Sequence, residues 1–195
     1  MVRVGLSEAV GGEQDMQVVD EAGSGFEAME RYRKHAADVV LMDYQMPGKD
    51  GVETTQQMLK DFPDAKIILL SVREGEEDIW RAIQSGIMGY LFKSSTMKEV
   101  LGAIRQVHSG SRCFSPEVEA KIKLRSTRPD LTPRELDVLR AIVEGRCNKE
   151  ICTSLDISEG NVRLYVSRVL SKLGVADRTQ AAVKAIQTGI VHLEH

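Results

Sequence analysis

The sequence predicts a doubly wound parallel α/β domain followed by an all-helical domain. Short apolar runs alternate with amphipathic stretches over residues 16–110. Continuous apolar strands set between helices imply a parallel sheet covered on both faces. Three of these runs, 38–43, 66–71 and 89–93, each close on a polar residue: Asp43, Ser71 and Lys93. From about residue 111 the strands stop, and only helix start and stop signals follow.

The elements are expected in this order. "MQVV" (16–19) is a strand and "GFEAMERYRKH" (25–35) a helix; "DVVLMD" (38–43) is a strand and "GVETTQQMLKDF" (51–62) a helix. "KIILLS" (66–71) precedes the helix "EEDIWRAIQSG" (76–86), and "GYLFK" (89–93) precedes "TMKEVLGAIRQVHSG" (96–110). Residues 111–130 mix Gly, Ser, Pro and charge and read as a linker, within which Ser115-Pro116 can start a short helix through Leu124. "LTPRELDVLRAIVEG" then opens with Thr132 as N-cap, Pro133 in the first turn and Glu135 completing a capping box, and Gly145 ends it. Helices at 148–155, 158–174 and 177–191 complete the domain, 131–192.

At 195 residues the chain holds one large domain or two small ones. Its 42% hydrophobic and 28% charged content excludes a disordered or fibrous protein. No apolar run approaches the ~18 residues of a membrane span, and the N-terminus lacks the order of a secretory signal. Three cysteines at irregular spacing make no disulfide framework. Cys147 and Cys152, in a helical stretch without partner histidines, read as small reduced core residues, and a cytoplasmic location is expected. The net charge of −3 is uneven: residues 1–130 hold 17 basic and 21 acidic side chains, residues 131–195 hold 9 and 8. Bulk charge therefore announces no nucleic-acid binder, and such a role has to rest on where the charges sit. Leu193-Glu194-His195 reads as the remnant of a purification tag.

In a parallel sheet the three polar strand ends would meet at one rim, the carboxyl edge where such sheets gather function. A carboxylate there can act as a nucleophile and carry a phosphoryl group. Transfer onto an anion requires charge neutralisation, which a fixed lysine and a divalent cation supply. Lys93 suits the first role, and the Ser71 hydroxyl can hydrogen-bond a phosphoryl oxygen. Mg2+ takes oxygen ligands, and Asp43 with the backbone carbonyl of Gln45 can offer two.

"DVVLMDYQMPGKDG", "LLSVREG" and "GYLFKSS" resemble the receiver domain of two-component response regulators. The resemblance implies a flavodoxin-like sheet in which Asp43 accepts phosphate from a sensor histidine kinase. Ser71 would be the hydroxyl switch residue, Tyr90 the aromatic whose rotamer follows it, and Lys93 the phosphate-pairing lysine. Met46-Pro47-Gly48 would shape the loop after the acceptor.

The family's first strand, with a pair of metal-holding acids, has no clear match. In one alignment "VRVGL" is that strand and Glu8 a lone metal ligand. In the other, preferred because Val2, Leu6 and Val10 recur four apart on one helical face, residues 1–10 are the first helix and the strand is absent. The first strand lies between the second and third in the order 2-1-3-4-5, so its absence leaves two strand edges without partners. Three outcomes are open: the natural chain begins upstream, another segment or chain fills the gap, or the receiver is atypical and binds Mg2+ poorly.

Residues 131–191, through "LTPRELDVL", "NKEI", "ISEGNVRLYVSRVLSKLGV" and "DRTQA", resemble the LuxR-type helix-turn-helix domain. Joined to a receiver, this is the NarL/FixJ type of response regulator. Val162, Val166, Val169, Leu170 and Leu173 should face the core, leaving Arg163, Leu164, Ser167 and Arg168 to face bases in the major groove. Thr132, Lys149 and Lys172 are placed for DNA phosphates. Arg163 and Tyr165 depart from the family's usual lysine and histidine, so a base preference is not carried over. Homodimers on DNA are expected; the small-residue face Ala181, Ala182, Ala185 and Ile186 suits either a dimer contact or core packing.

The expected function is a non-enzymatic DNA-binding regulator controlled by phosphorylation of Asp43. The alternative keeps DNA binding but makes the receiver a phosphorylation-independent dimerisation or protein-interaction module. A phosphatase using Asp43 as nucleophile would want a second Asp where Gln45 stands. A ligand-enclosing sensor is disfavoured by the regular βα alternation.

Overall fold

Residues 2–193 are described in the computed structural model; Glu194 and His195 of the expected tag remnant lie outside the described residues. Two compact units form, one from residues 1–73 and 79–119 and the other from 74–78 and 120–195.

The first unit is a four-stranded, all-parallel sheet in the order β1-β2-β3-β4, with β1 Val40–Asp43, β2 Ile67–Ser71, β3 Gly89–Phe92 and β4 Cys113–Phe114. Its helices are α1 Val2–Gly11, α2 Gly25–Lys34, α3 Gly51–Asp61, α4 Glu76–Gln84 from Ile79 onward and α5 Met97–His108. Every residue of β2 is buried, as a central strand covered on both faces requires. Ile68 and Leu70 face a core made with Leu91, Val100, Ala103 and Val107. Ile67 and Leu69, pointing the other way by the period of two, are also fully buried. Each such side chain contributes roughly 1.5–3 kcal/mol by leaving water.

The helices begin where the sequence places caps. Asp50 accepts from the Glu53 N–H at the start of α3, and Thr96 forms a reciprocal capping box with Glu99 at the start of α5. Gly25 opens α2 against α3, where a Cβ would sit 2.2 Å from the Thr54 hydroxyl.

Two expectations are corrected. Met16–Val19 is not a strand but part of an irregular segment, with Val18 and Val19 exposed. A strand needs a neighbour for its backbone groups; in the order 2-1-3 this one could pair only with a first strand, and among the described residues none lies beside β1. Strands also do not stop at residue 111: Cys113–Phe114 adds a two-residue β4 beside β3. Residues 2–11 are helical and pack beside α5, as the preferred alignment expects, so the alternative with "VRVGL" as a strand falls, and Glu8 is an exposed residue of α1.

The second unit contains α7 Pro133–Val143, α8 Asn148–Leu155, α9 Glu159–Leu173 and α10 Arg178–Gln187, preceded by α6 Pro116–Ser126, which starts in the first unit. Two clusters fill it: Val138, Ala141, Ile142, Ile151 and Val162, and Leu139, Val169, Leu173, Ala181 and Ala185. Ala181 and Ala185 are thus core residues of this unit, whereas Ile186 is exposed. Ser158 caps α9, which ends at Gly174 in the left-handed region, φ 64°. Cys152 is half-buried but Cys147, expected in the core, is exposed at the N-cap of α8. No helix among the described residues is long and apolar enough to cross a membrane.

Candidate functional site

The rim of the first unit follows from strand register. Asp43 pairs with Leu70 and Ser71 with Phe92, so Asp43, Ser71 and Lys93 end adjacent strands within one residue of each other. Neighbouring strands run about 4.8 Å apart. The Lys93 ammonium donates to Asp43 Oδ2 at 2.6 Å, and its backbone N–H donates to the Ser71 carbonyl at 2.7 Å. The Gln45 N–H donates to Asp43 Oδ1 at 2.9 Å. One carboxylate oxygen therefore faces a cation and the other a backbone N–H. The loop that follows lines one groove with Asp43, Gln45 and Lys93 through Met46 and Pro47, and Gly48 turns it at φ 85°, a conformation suited to glycine.

Ser71 is buried, and its hydroxyl accepts from the Arg73 N–H at 2.8 Å. Tyr90 is also buried, and its hydroxyl donates to the Arg73 carbonyl at 2.8 Å. Arg73 was not singled out from the sequence, yet its backbone holds both residues expected to move together. Its guanidinium lies 5.2 Å from the centre of the buried Tyr44 ring, a cation–π contact. No sequence signal marks Arg73, because the working atoms belong to the backbone.

The expected metal ligands come together only in part. Asp43 and Gln45 share the rim, but Glu8 does not line the groove that contains them and Lys93. No group of three or more His, Cys, Asp or Glu that could hold a metal ion occurs among the described residues. One carboxylate and one carbonyl fall short of a site that holds Mg2+ on its own.

In the second unit, α9 buries Val162, Val169 and Leu173 and half-buries Val166 and Leu170. Arg163, Leu164, Ser167 and Arg168 are exposed together on its other side, with the Leu164 side chain left in water. Arg163 pairs with Glu159 one turn back at 2.6 Å. Thr132, the cap of α7, and Lys149 on α8 are exposed as well.

Lys172 is different. Its ammonium donates to the buried Glu135 carboxylate at 2.7 Å and to the Asp130 carbonyl at 2.8 Å. Burial pushes the Glu135 carboxyl up, but the Lys172 bond and the Thr132 N–H and hydroxyl outweigh it and hold its pKa below the ordinary value. Lys172 thus ties α9 to α7 through Glu135.

Residues 1–105 match the model of the response regulator receiver domain, and residues 129–185 that of the luxR family of bacterial regulatory proteins. The chain belongs to the LuxR-family response regulators. Similar proteins span both parts of this regulator. The response regulator protein VraR of Staphylococcus aureus is 36% identical over 196 residues, covering 98% of this chain and 94% of VraR. The response regulator ChrA of a heme-sensing two-component system is 32% identical, with a TM-score of 0.55 over 97% of this chain and 93% of ChrA. RcsB of Salmonella typhimurium, at 22% identity, shares the fold with a TM-score of 0.73 over 93% of this chain and 92% of RcsB. This response regulator is therefore a DNA-binding transcription regulator by family.

Proposed function

We propose that Asp43 accepts a phosphoryl group from a sensor histidine kinase and that the modification controls DNA binding through α9. The observation that carries this reading is the Lys93 ammonium 2.6 Å from Asp43 Oδ2, with the Ser71 hydroxyl one residue away on the neighbouring strand. A phosphoryl group on Asp43 would take Lys93 as counterion and draw the Ser71 hydroxyl from Arg73 toward its own oxygens. Tyr90, held by the same residue, would follow. This shifts a population only if the phosphate favours one arrangement over the other.

On the DNA side, Arg163, Leu164, Ser167 and Arg168 face base edges in the major groove, while Thr132 and Lys149 meet phosphates. RcsB, similar in fold, is known in complex with DNA and as dimers on DNA, and dimers on paired half-sites suit this type of domain.

Receiver domains typically bind Mg2+ for phosphorylation, and among the described residues no group of three or more His, Cys, Asp or Glu could hold a metal ion. That observation favours a second reading, in which DNA binding persists and the receiver works as a phosphorylation-independent interaction module. Intact mass of the full chain with a small phosphodonor and Mg2+ separates the two. Uptake of one phosphate by this chain and none by Asp43→Asn, with a rise in DNA affinity only in the first, supports the leading reading. No uptake alongside intact DNA binding supports the second.

A further inference from the structure

The base-facing stripe of α9 begins one turn before Arg163. Glu159, Arg163 and Ser167 follow one another at intervals of four and are all exposed, so they share one face of the helix. Glu159 is the first residue of α9, directly after the cap Ser158. In a helix of this kind the N-terminal residues are the ones that reach base edges. A carboxylate at that place meets a surface of phosphates, which is electrostatically opposed unless a cation travels with it.

Arg163 is that cation. Its Nη2 donates to Glu159 Oε1 at 2.6 Å, and the two side chains are 71% and 50% exposed. A pair so open to water adds little to the stability of a helix. Its effect on DNA binding is larger, for three reasons. In the free chain it cancels the Arg163 charge, which lowers attraction to DNA of any sequence. It restrains a long side chain that otherwise samples many rotamers. It also takes one of the five guanidinium N–H donors and leaves a fork for O6 and N7 of guanine. Once water is excluded from the groove, the bond between the two side chains strengthens.

We infer that Glu159 is a positioning residue for sequence reading, which aims the Arg163 guanidinium at a guanine edge and weakens attachment to other sequences. The inference rests on the reading of α9 as the helix that meets base edges, and it adds to that stripe a residue of the charge opposite to a usual DNA contact. Glu159 acts through Arg163 and reads no base of its own.

The full chain, with the phosphodonor and Mg2+, is selected on a library of duplexes of random sequence, alongside Glu159→Gln, Arg163→Ala and the double variant. Arg163→Ala is expected to lose a guanine preference at one position of the half-site. At that same position Glu159→Gln is expected to reduce a roughly tenfold preference to about threefold, and the double variant should do no worse than Arg163→Ala alone. On a duplex of fixed, unselected sequence Glu159→Gln should bind about threefold tighter, with a steeper salt dependence. A base preference or an unselected-duplex affinity that stays as it was in Glu159→Gln, while Arg163→Ala loses its guanine, overturns the inference and leaves base reading by α9 standing. A loss at a different position overturns it too, because Glu159 then reads a base itself. If Arg163→Ala keeps every preference, or the unaltered chain selects no sequence, the base-facing reading falls and the inference falls with it.

Discussion

The helices α7–α10 and the sheet β1–β4 solve the same problem with different completeness. Each helix of the first set satisfies its backbone internally, and its ends carry their own caps, such as Thr132, Ser158 and Asp177. The sheet depends on partners far along the chain, and among the described residues β1 has one on a single side. Local hydrogen bonding makes a small helical domain independent of what precedes it, whereas a parallel sheet is only as complete as its strand list.

The largest expected effect tests this difference inside the sheet. Ile67→Ala in β2, where the side chain is fully buried, should cost about 3–4 kcal/mol in urea unfolding. Val40→Ala on half-buried β1 should cost about 1 kcal/mol; equal losses would show that the edge is covered.

In the helical unit, Lys172→Met should cost about 2 kcal/mol, because the buried Glu135 carboxylate loses its cation. Adding Glu135→Gln should recover part of that loss, and a double-mutant cycle without coupling would remove the lock between α7 and α9. The same pair gives a pH dependence. Since the folded pKa of Glu135 is lowered, its contribution is fully present above the unfolded value of about 4.3 and is lost as pH falls through the folded value. Acid titration of helical circular dichroism should therefore be less steep below that pH in Glu135→Gln. The smallest stability change is expected for Arg163→Ala, under about 0.5 kcal/mol for an exposed pair, with DNA affinity falling roughly tenfold.

The rim was legible because its residues end apolar runs in a βα alternation, and alternation alone brings strand ends together. Met16–Val19 was misread because a strand depends on a neighbour that its own composition does not reveal. Cys113–Phe114 escaped notice because two residues beside Gly and Ser carry no period. Lys172 looked like one more cation on an outer stripe; its partner Glu135 lies a helix away in sequence. Glu135 itself was read correctly as a cap, but the cap explains only one of its carboxylate's bonds.

Ser71 and Tyr90 both lean on the main chain of Arg73, one on its amide and the other on its carbonyl. A mutational scan would pass over that joint, since most replacements there keep both atoms. Proline alone deletes the amide and leaves the carbonyl, so a lone proline-sensitive position between two sensitive side chains is the genetic signature of this coupling.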